Sequence, residues 1–256
     1  MAIRQYVRAS PWGALFICAL FYGAALSGAW ASSETAITVK VIDGDTLVLG
    51  DGRHLRLVGV NCPEQGYDGR PDEPWARAAT AYTRRQLLNK KIHLKFGPQR
   101  QDRYKRTLAQ VFTEDGQDFQ IGLLERGLAS AVAIAPNVDH ADAYLRVERI
   151  ARRQAIGLWG DAYYKPKAAQ GLSLKTRGFH FVRGHIQRIG KSRRYIYLDL
   201  SDRFSVRISR KAWQQYWTDN PKDWRGALVE VRGWVNLYNS RLNTTINHPT
   251  MIEKLE

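Results

Sequence analysis

The tightest constraint on this chain's fold is a run of short alternating segments between Ala36 and Val60, broken twice by aspartate and glycine. Ile37, Val39 and Val41 alternate with polar neighbours, Asp43-Gly44-Asp45 interrupts, and Thr46–Leu49 and Arg53–Val60 resume around Gly50-Asp51-Gly52. Period-two patterning joined by tight turns predicts an antiparallel meander with one buried face. Residues 74–89 then place Trp75, Ala78, Ala79, Tyr82, Leu87 and Leu88 near helical spacing, with Pro74 suited to a first turn. Two more strands are expected at Lys91–Phe96 and Thr107–Thr113. Two more helices are expected, at Phe119–Arg126, stopped by Gly127, and at His140–Ala155.

Beyond Gly157-Leu158-Trp159-Gly160 the pattern changes. Residues 161–176 lose apolar periodicity and gather Lys, Gly, Pro and Tyr, which reads as a linker or connecting arm. Strand signals return at 179–189, 195–200, 204–208, 227–235 and 243–246, with a helical interlude at 210–217. Five short strands and one helix in that order predict a second, small barrel of the oligonucleotide-binding type over residues 177–256. The basic excess sits there: residues 161–256 hold 18 Lys and Arg against 8 Asp and Glu, whereas residues 32–160 hold 19 against 16. Such an imbalance points to a polyanionic partner.

The first 31 residues are set apart. Arg4 and Arg8 precede an apolar run from Trp12 to Ala29 that ends in Ala29-Trp30-Ala31, the layout of a secretory signal with its cleavage site. The same run approaches the roughly 20 residues of a bilayer span, so an uncleaved anchor is the alternative. The expectation is a secreted or periplasmic protein, membrane-anchored if the leader stays. Cys18 lies in the leader, which leaves Cys62 alone in the remainder and rules out an intrachain disulfide there. No histidine lies near Cys62 in sequence to activate it, which favours inert packing over nucleophilic catalysis.

The chemistry-bearing residues cluster between Val41 and Arg106. Asp43 and Asp45 flank a glycine, so on a strand their carboxylates would share one face. Hard oxygen donors favour Ca²⁺ over a thiophilic metal, and Asn61 and Glu64 offer more oxygen. Arg56 and Arg106 are planar cations suited to the charge that builds on a phosphoryl group, and Glu64 is a carboxylate able to orient or deprotonate water. Any one of these residues is more economically read as a surface ion pair; the whole set at this spacing is not.

These residues resemble the thermonuclease (micrococcal nuclease) family over residues 36–160. The resemblance runs through Val41-Ile42-Asp43-Gly44-Asp45-Thr46, through Arg56-Leu57-Val58-Gly59-Val60-Asn61-Cys62-Pro63-Glu64, and through Asp102-Arg103-Tyr104-Lys105-Arg106-Thr107-Leu108-Ala109. It implies a five-stranded barrel with three helices and a Ca²⁺-dependent enzyme cutting DNA and RNA at the P–O5′ bond to leave 3′-phosphates. It further implies Asp45, Asn61 and the Cys62 carbonyl as metal ligands, Arg56 and Arg106 on the phosphate, and Glu64 on the water. Arg103 and Tyr104 would bind substrate. Asn61 stands where the best-known member has Asp, and Ala133 and Ala135 where it has tyrosines lining the nucleotide pocket. The rival expectation is a noncatalytic protein that binds nucleic acid or another polyanion through a degenerate metal site. In the C-terminal part, Tyr195, Tyr197, Trp213, Trp217 and Trp234 interleave with arginine and lysine. They are either stacking platforms for bases or core and interdomain packing.

Overall fold

A computed structural model of the protein describes residues 33–66 and 68–255. The leader expected over residues 1–31 lies outside the described residues, and among those that are described no helix is long and apolar enough to cross a membrane. The N-terminal barrel begins with β1 (Ser33–Val41), β2 (Thr46–Leu49) and β3 (His54–Leu57), followed by the short β4 (Val60–Asn61). Next come α1 (Ala76–Leu87), β5 (Lys91–Lys95), β6 (Thr107–Phe112), α2 (Phe119–Glu125), β7 (Ser130–Ala131) and α3 (Ala141–Arg153). The barrel closes in the order β1-β2-β3-β6-β5, with β3 and β6 parallel and the other pairs antiparallel.

The alternation that marks these strands in the sequence fills the barrel. Leu47, Leu49, Leu55, Ile92, Leu94 and Val111 are fully buried while their neighbours face out, each such side chain contributing about 1.5–3 kcal/mol over the exposed state. The helices close the barrel's open sides. Asp118 caps α2 by accepting the amides of Gln120 (2.9 Å) and Ile121 (3.2 Å), and the hydroxyl of Tyr144 on α3 donates to the same carboxylate at 2.7 Å. Pro74 lies ahead of α1 rather than in its first turn: Trp75, at φ 72°, is the residue before the helix.

Residues 161–176 pack rather than dangle. Tyr164, Ala169 and Leu172 are buried in the C-terminal core, and β8 (Lys167–Ala168) pairs in parallel with β9 (Gly178–His185). The chain continues through β10 (Arg188–Lys191), β11 (Tyr195–Asp199), β12 (Phe204–Ser209), α4 (Arg210–Tyr216), β13 (Leu228–Tyr238), β14 (Arg241–Ile246) and β15 (Ile252–Lys254). Their sheet runs β10-β11-β12-β14-β13-β9-β8, with β15 also on β13. Only Ile186 and Gln187 separate β9 from β10, so one bent run of chain supplies strands at both sides of the curl. With the added β8 and β15 set aside, strand order and the one remaining parallel pair, β12 with β14, repeat the plan of the first barrel.

Residues 33–255 belong to one compact unit. The core of the second barrel takes in Val132, Ala133, Ala141, Leu158 and Trp159 from the first half. Between them, polar contacts are buried. Arg232 on β13 donates to Glu148 on α3 at 2.5 Å, with both side chains at 5% exposure or less, and the other Glu148 oxygen accepts the Ala131 amide at 2.5 Å. Beside this pair, Glu230 accepts from Arg152 (2.7 Å) and Arg183 (2.8 Å).

Candidate active site

The acidic loop between β1 and β2 is built from below. The Asp45 amide donates to Asp43 Oδ1 at 2.9 Å, and the Thr83 hydroxyl on α1 donates to the Gly44 carbonyl at 2.8 Å. A side chain at Gly44 would meet Cys62 Sγ at 2.6 Å and Ala79 Cβ at 2.9 Å, so only glycine lets the loop sit this close. The strand geometry expected for Asp43 and Asp45 is therefore replaced by an aspartate-stabilised bend, because the local hydrogen bond competes with extended pairing. Asp45 is buried and Asp43 half-buried.

Arg56 stands outward on β3 between the inward Leu55 and Leu57. It forms an ion pair with Asp45 and donates to the Val60 carbonyl at 3.1 Å and to Asn61 Oδ1 at 3.3 Å. Cys62 donates its amide to Asp45 Oδ2 at 2.7 Å. Its thiol is buried under Gly44, and burial pushes it well above the ordinary thiol range, which leaves it inert. Arg106 is placed by a turn in which Asp102 accepts the amides of Tyr104 and Arg106, each at 2.9 Å, and the Arg106 Nε at 2.8 Å. Tyr104 stays 64% exposed at the rim, with the Arg103 guanidinium 4.7 Å from its ring centre.

These groups surround a cleft of about 640 Å³. Asp45, Arg56, Asn61, Glu64, Arg103, Tyr104 and Arg106 all line it; Cys62 does not. Glu64 stands at the open side. Desolvation by the surrounding protein, then the charges of Asp45 and Asp43, pushes its carboxyl up to about 7; burial, then Asp45, pushes Asp43 to about 6. Negative charge is thus crowded here beyond what Arg56 offsets, and a cation would relieve it. Among the described residues no three His, Cys, Asp or Glu side chains gather as a metal cage. The donors that line the cleft are oxygens only: the carboxylates of Asp43, Asp45 and Glu64 and the Asn61 amide oxygen, with Cys62 outside the lining and its amide given to Asp45. That set fits a hard cation such as Ca²⁺ and not a thiophilic one.

The cleft also holds residues that the sequence did not mark as a site. Asp102 orients Arg106, and Asn137 fixes the wall by accepting the Gln99 amide at 3.0 Å and donating to the Gln99 carbonyl at 2.7 Å. Trp234 of the second barrel, one of the aromatics interleaved with basic residues in the sequence, lines the same cleft, a placement that its sequence position does not reveal. Ala133 is buried among second-barrel residues, and its amide faces Met251 Sδ at 3.1 Å, so the cleft wall there belongs to Val132 and Ile134.

The family described as Staphylococcal nuclease homologue matches residues 54–161. A thermonuclease of Staphylococcus hyicus is 33% identical over 145 residues, covering 55% of this chain and 83% of that protein. A thermonuclease of Staphylococcus intermedius is 31% identical over 129 residues, covering 49% of this chain and 76% of that protein. The chain belongs to the staphylococcal nuclease family.

Proposed function

We propose that this chain is an exported, calcium-dependent nuclease that hydrolyses DNA and RNA at the P–O5′ bond and leaves 3′-phosphates. The observation that carries this reading is the convergence of Asp45, Asn61, Glu64, Arg56 and Arg106 on one cleft. Asp45, Asn61 and the Cys62 carbonyl would hold the ion. When bound, Ca²⁺ supplies positive charge against the phosphoryl oxygens.

The chain's own residues do the rest. Glu64 takes a proton from the attacking water, a contribution typically of roughly 10²–10⁴ in rate. Arg56 and Arg106 grip the phosphate from two sides and meet the charge that grows as the P–O5′ bond breaks; losing one such donor costs on the order of 10²–10³. Tyr104 and Arg103 at the rim contact the flanking backbone. None of these groups reads a base edge or depends on a 2′-hydroxyl, which supports action on both DNA and RNA.

The reading is tested by product ends. Single-stranded DNA incubated with the chain and calcium should yield fragments whose 5′ ends accept phosphate from a kinase without prior phosphatase treatment. Fragments with 5′-phosphates, or no fragments, would refute it.

A further inference from the structure

The outer face of the second barrel is one continuous polar surface in register. Paired residues in neighbouring strands share a face, and the pairs here are Tyr197 with Arg207, Arg207 with Thr245, and Asn243 with Asn236. Ile196, Leu198, Val206, Ile208, Leu242 and Val235 alternate with them and fill the barrel. Along β13, Asn236 is two residues from Trp234, which lines the active-site cleft. From β13 to β11 the face crosses three strand spacings, roughly 14 Å.

Tyr195 and Tyr197 stand half-exposed on this face with ring centres 6.3 Å apart, and the Arg207 guanidinium lies 4.9 Å from the Tyr195 ring centre. At the same end, the Arg210 amide donates to the Arg194 carbonyl at 2.9 Å, which brings the start of α4 beside the β10–β11 turn. Arg193, Arg194, Arg210 and Lys211 are exposed there, and none has an ion-pair partner among the described residues. Asp199, on the same face but at the far end of β11, is already taken by Arg188 (2.8 Å) and Arg241 (3.0 Å). Uncompensated cations around paired aromatic rings suit a polyanion that carries flat groups free to stack.

We propose that this face is a binding platform for single-stranded nucleic acid, running from Tyr195 and Tyr197 across β12 and β14 to Trp234 at the cleft. The cations hold phosphates and the tyrosines stack bases. A duplex hides its base faces, so the tyrosines select single strands. The proposal extends the nuclease reading, since the platform would feed its strand to that cleft, yet binding can be measured without cleavage.

The test is fluorescence anisotropy with a labelled oligothymidylate of about twenty nucleotides, longer than the roughly 4–16 that one such barrel covers. The full chain carrying Glu64→Gln serves as the parent. Tyr195→Ala with Tyr197→Ala should weaken strand binding about tenfold, and the two Phe replacements should restore it. Arg193→Gln with Arg194→Gln should reduce the slope of log affinity against log salt by roughly 1.4. An equally long duplex should scarcely respond to the tyrosine changes.

Unchanged strand affinity in the tyrosine-to-alanine variant, equal loss on duplex, or binding to anionic lipid vesicles in place of the oligonucleotide would overturn the proposal. The expected binding in a chain that cleaves nothing with Glu64 intact would sink the nuclease reading and leave the platform standing. Cleavage by a chain whose binding ignores the tyrosines would do the reverse.

Discussion

Arg56 lines the candidate site and also holds the fold. It is paired with Asp45, whose side chain is 5% exposed, and it is bonded to Val60 and Asn61. Removing it leaves a buried carboxylate without its cation, a change that typically costs about 3–5 kcal/mol. Arg56→Ala should therefore lower both turnover, by at least about 10², and melting temperature. Calcium should raise the melting temperature of this variant more than that of the parent, because a cation at Asp45 replaces the lost charge. Melting scans with calcium and with chelator check this; identical calcium shifts would contradict it. The sequence marked Arg56 as a candidate phosphate ligand because its spacing to Asn61 and Glu64 is visible in one dimension. Its pairing with Asp45 was not visible, since that contact depends on a bend fixed by Thr83 from another helix.

At the scale of elements, β13 carries more than its share. Its inward residues Val229, Val231 and Val235 fill the second barrel, while Glu230, Arg232 and Trp234 face the nuclease half. Glu148→Leu should destabilise the chain by about 3–5 kcal/mol through the stranded Arg232, Arg232→Met should do so through the stranded Glu148, and the double variant should recover most of that loss. Denaturant unfolding of both single variants and the double variant closes the cycle. Additive losses would show that the pair is not coupled. Trp234→Ala should raise KM for a single strand severalfold with kcat unchanged, as expected for lost uniform binding. Initial rates across substrate concentration decide it, and an unaltered KM would remove Trp234 from the substrate path. The strand itself was legible from its alternation. What covers its outer face was not, because a polar residue at every second position reads the same against water and against another half of the molecule.

On the scale of the whole molecule, each half fills its own core, and Val132, Ala133, Ala141, Leu158 and Trp159 of the first half pack into that of the second. A chain ending at Gly160 would expose Val132, Ala133, Leu158 and Trp159 and leave Glu148 without Arg232. Residues 32–160 alone keep the first core but should melt lower than the full chain and self-associate through the bared patch, which thermal melts and sedimentation would reveal; a monomeric fragment as stable as the full chain would contradict the packing of the two halves. Most element positions were readable because periodicity and turn residues are local. Tyr164, Ala169 and Leu172 sit in a stretch too short and too broken for periodicity, so their burial emerges only once β9 is in place to pack against. The reaction proposed for this cleft is phosphodiester hydrolysis with Glu64 on the water. Its most direct test is degradation of single-stranded DNA by the parent chain and by Glu64→Gln, each in calcium and in chelator. The parent should cleave in calcium and not in chelator, and Glu64→Gln should be slower by at least about 10². Equal cleavage by the variant, or none by the parent in calcium, would contradict it.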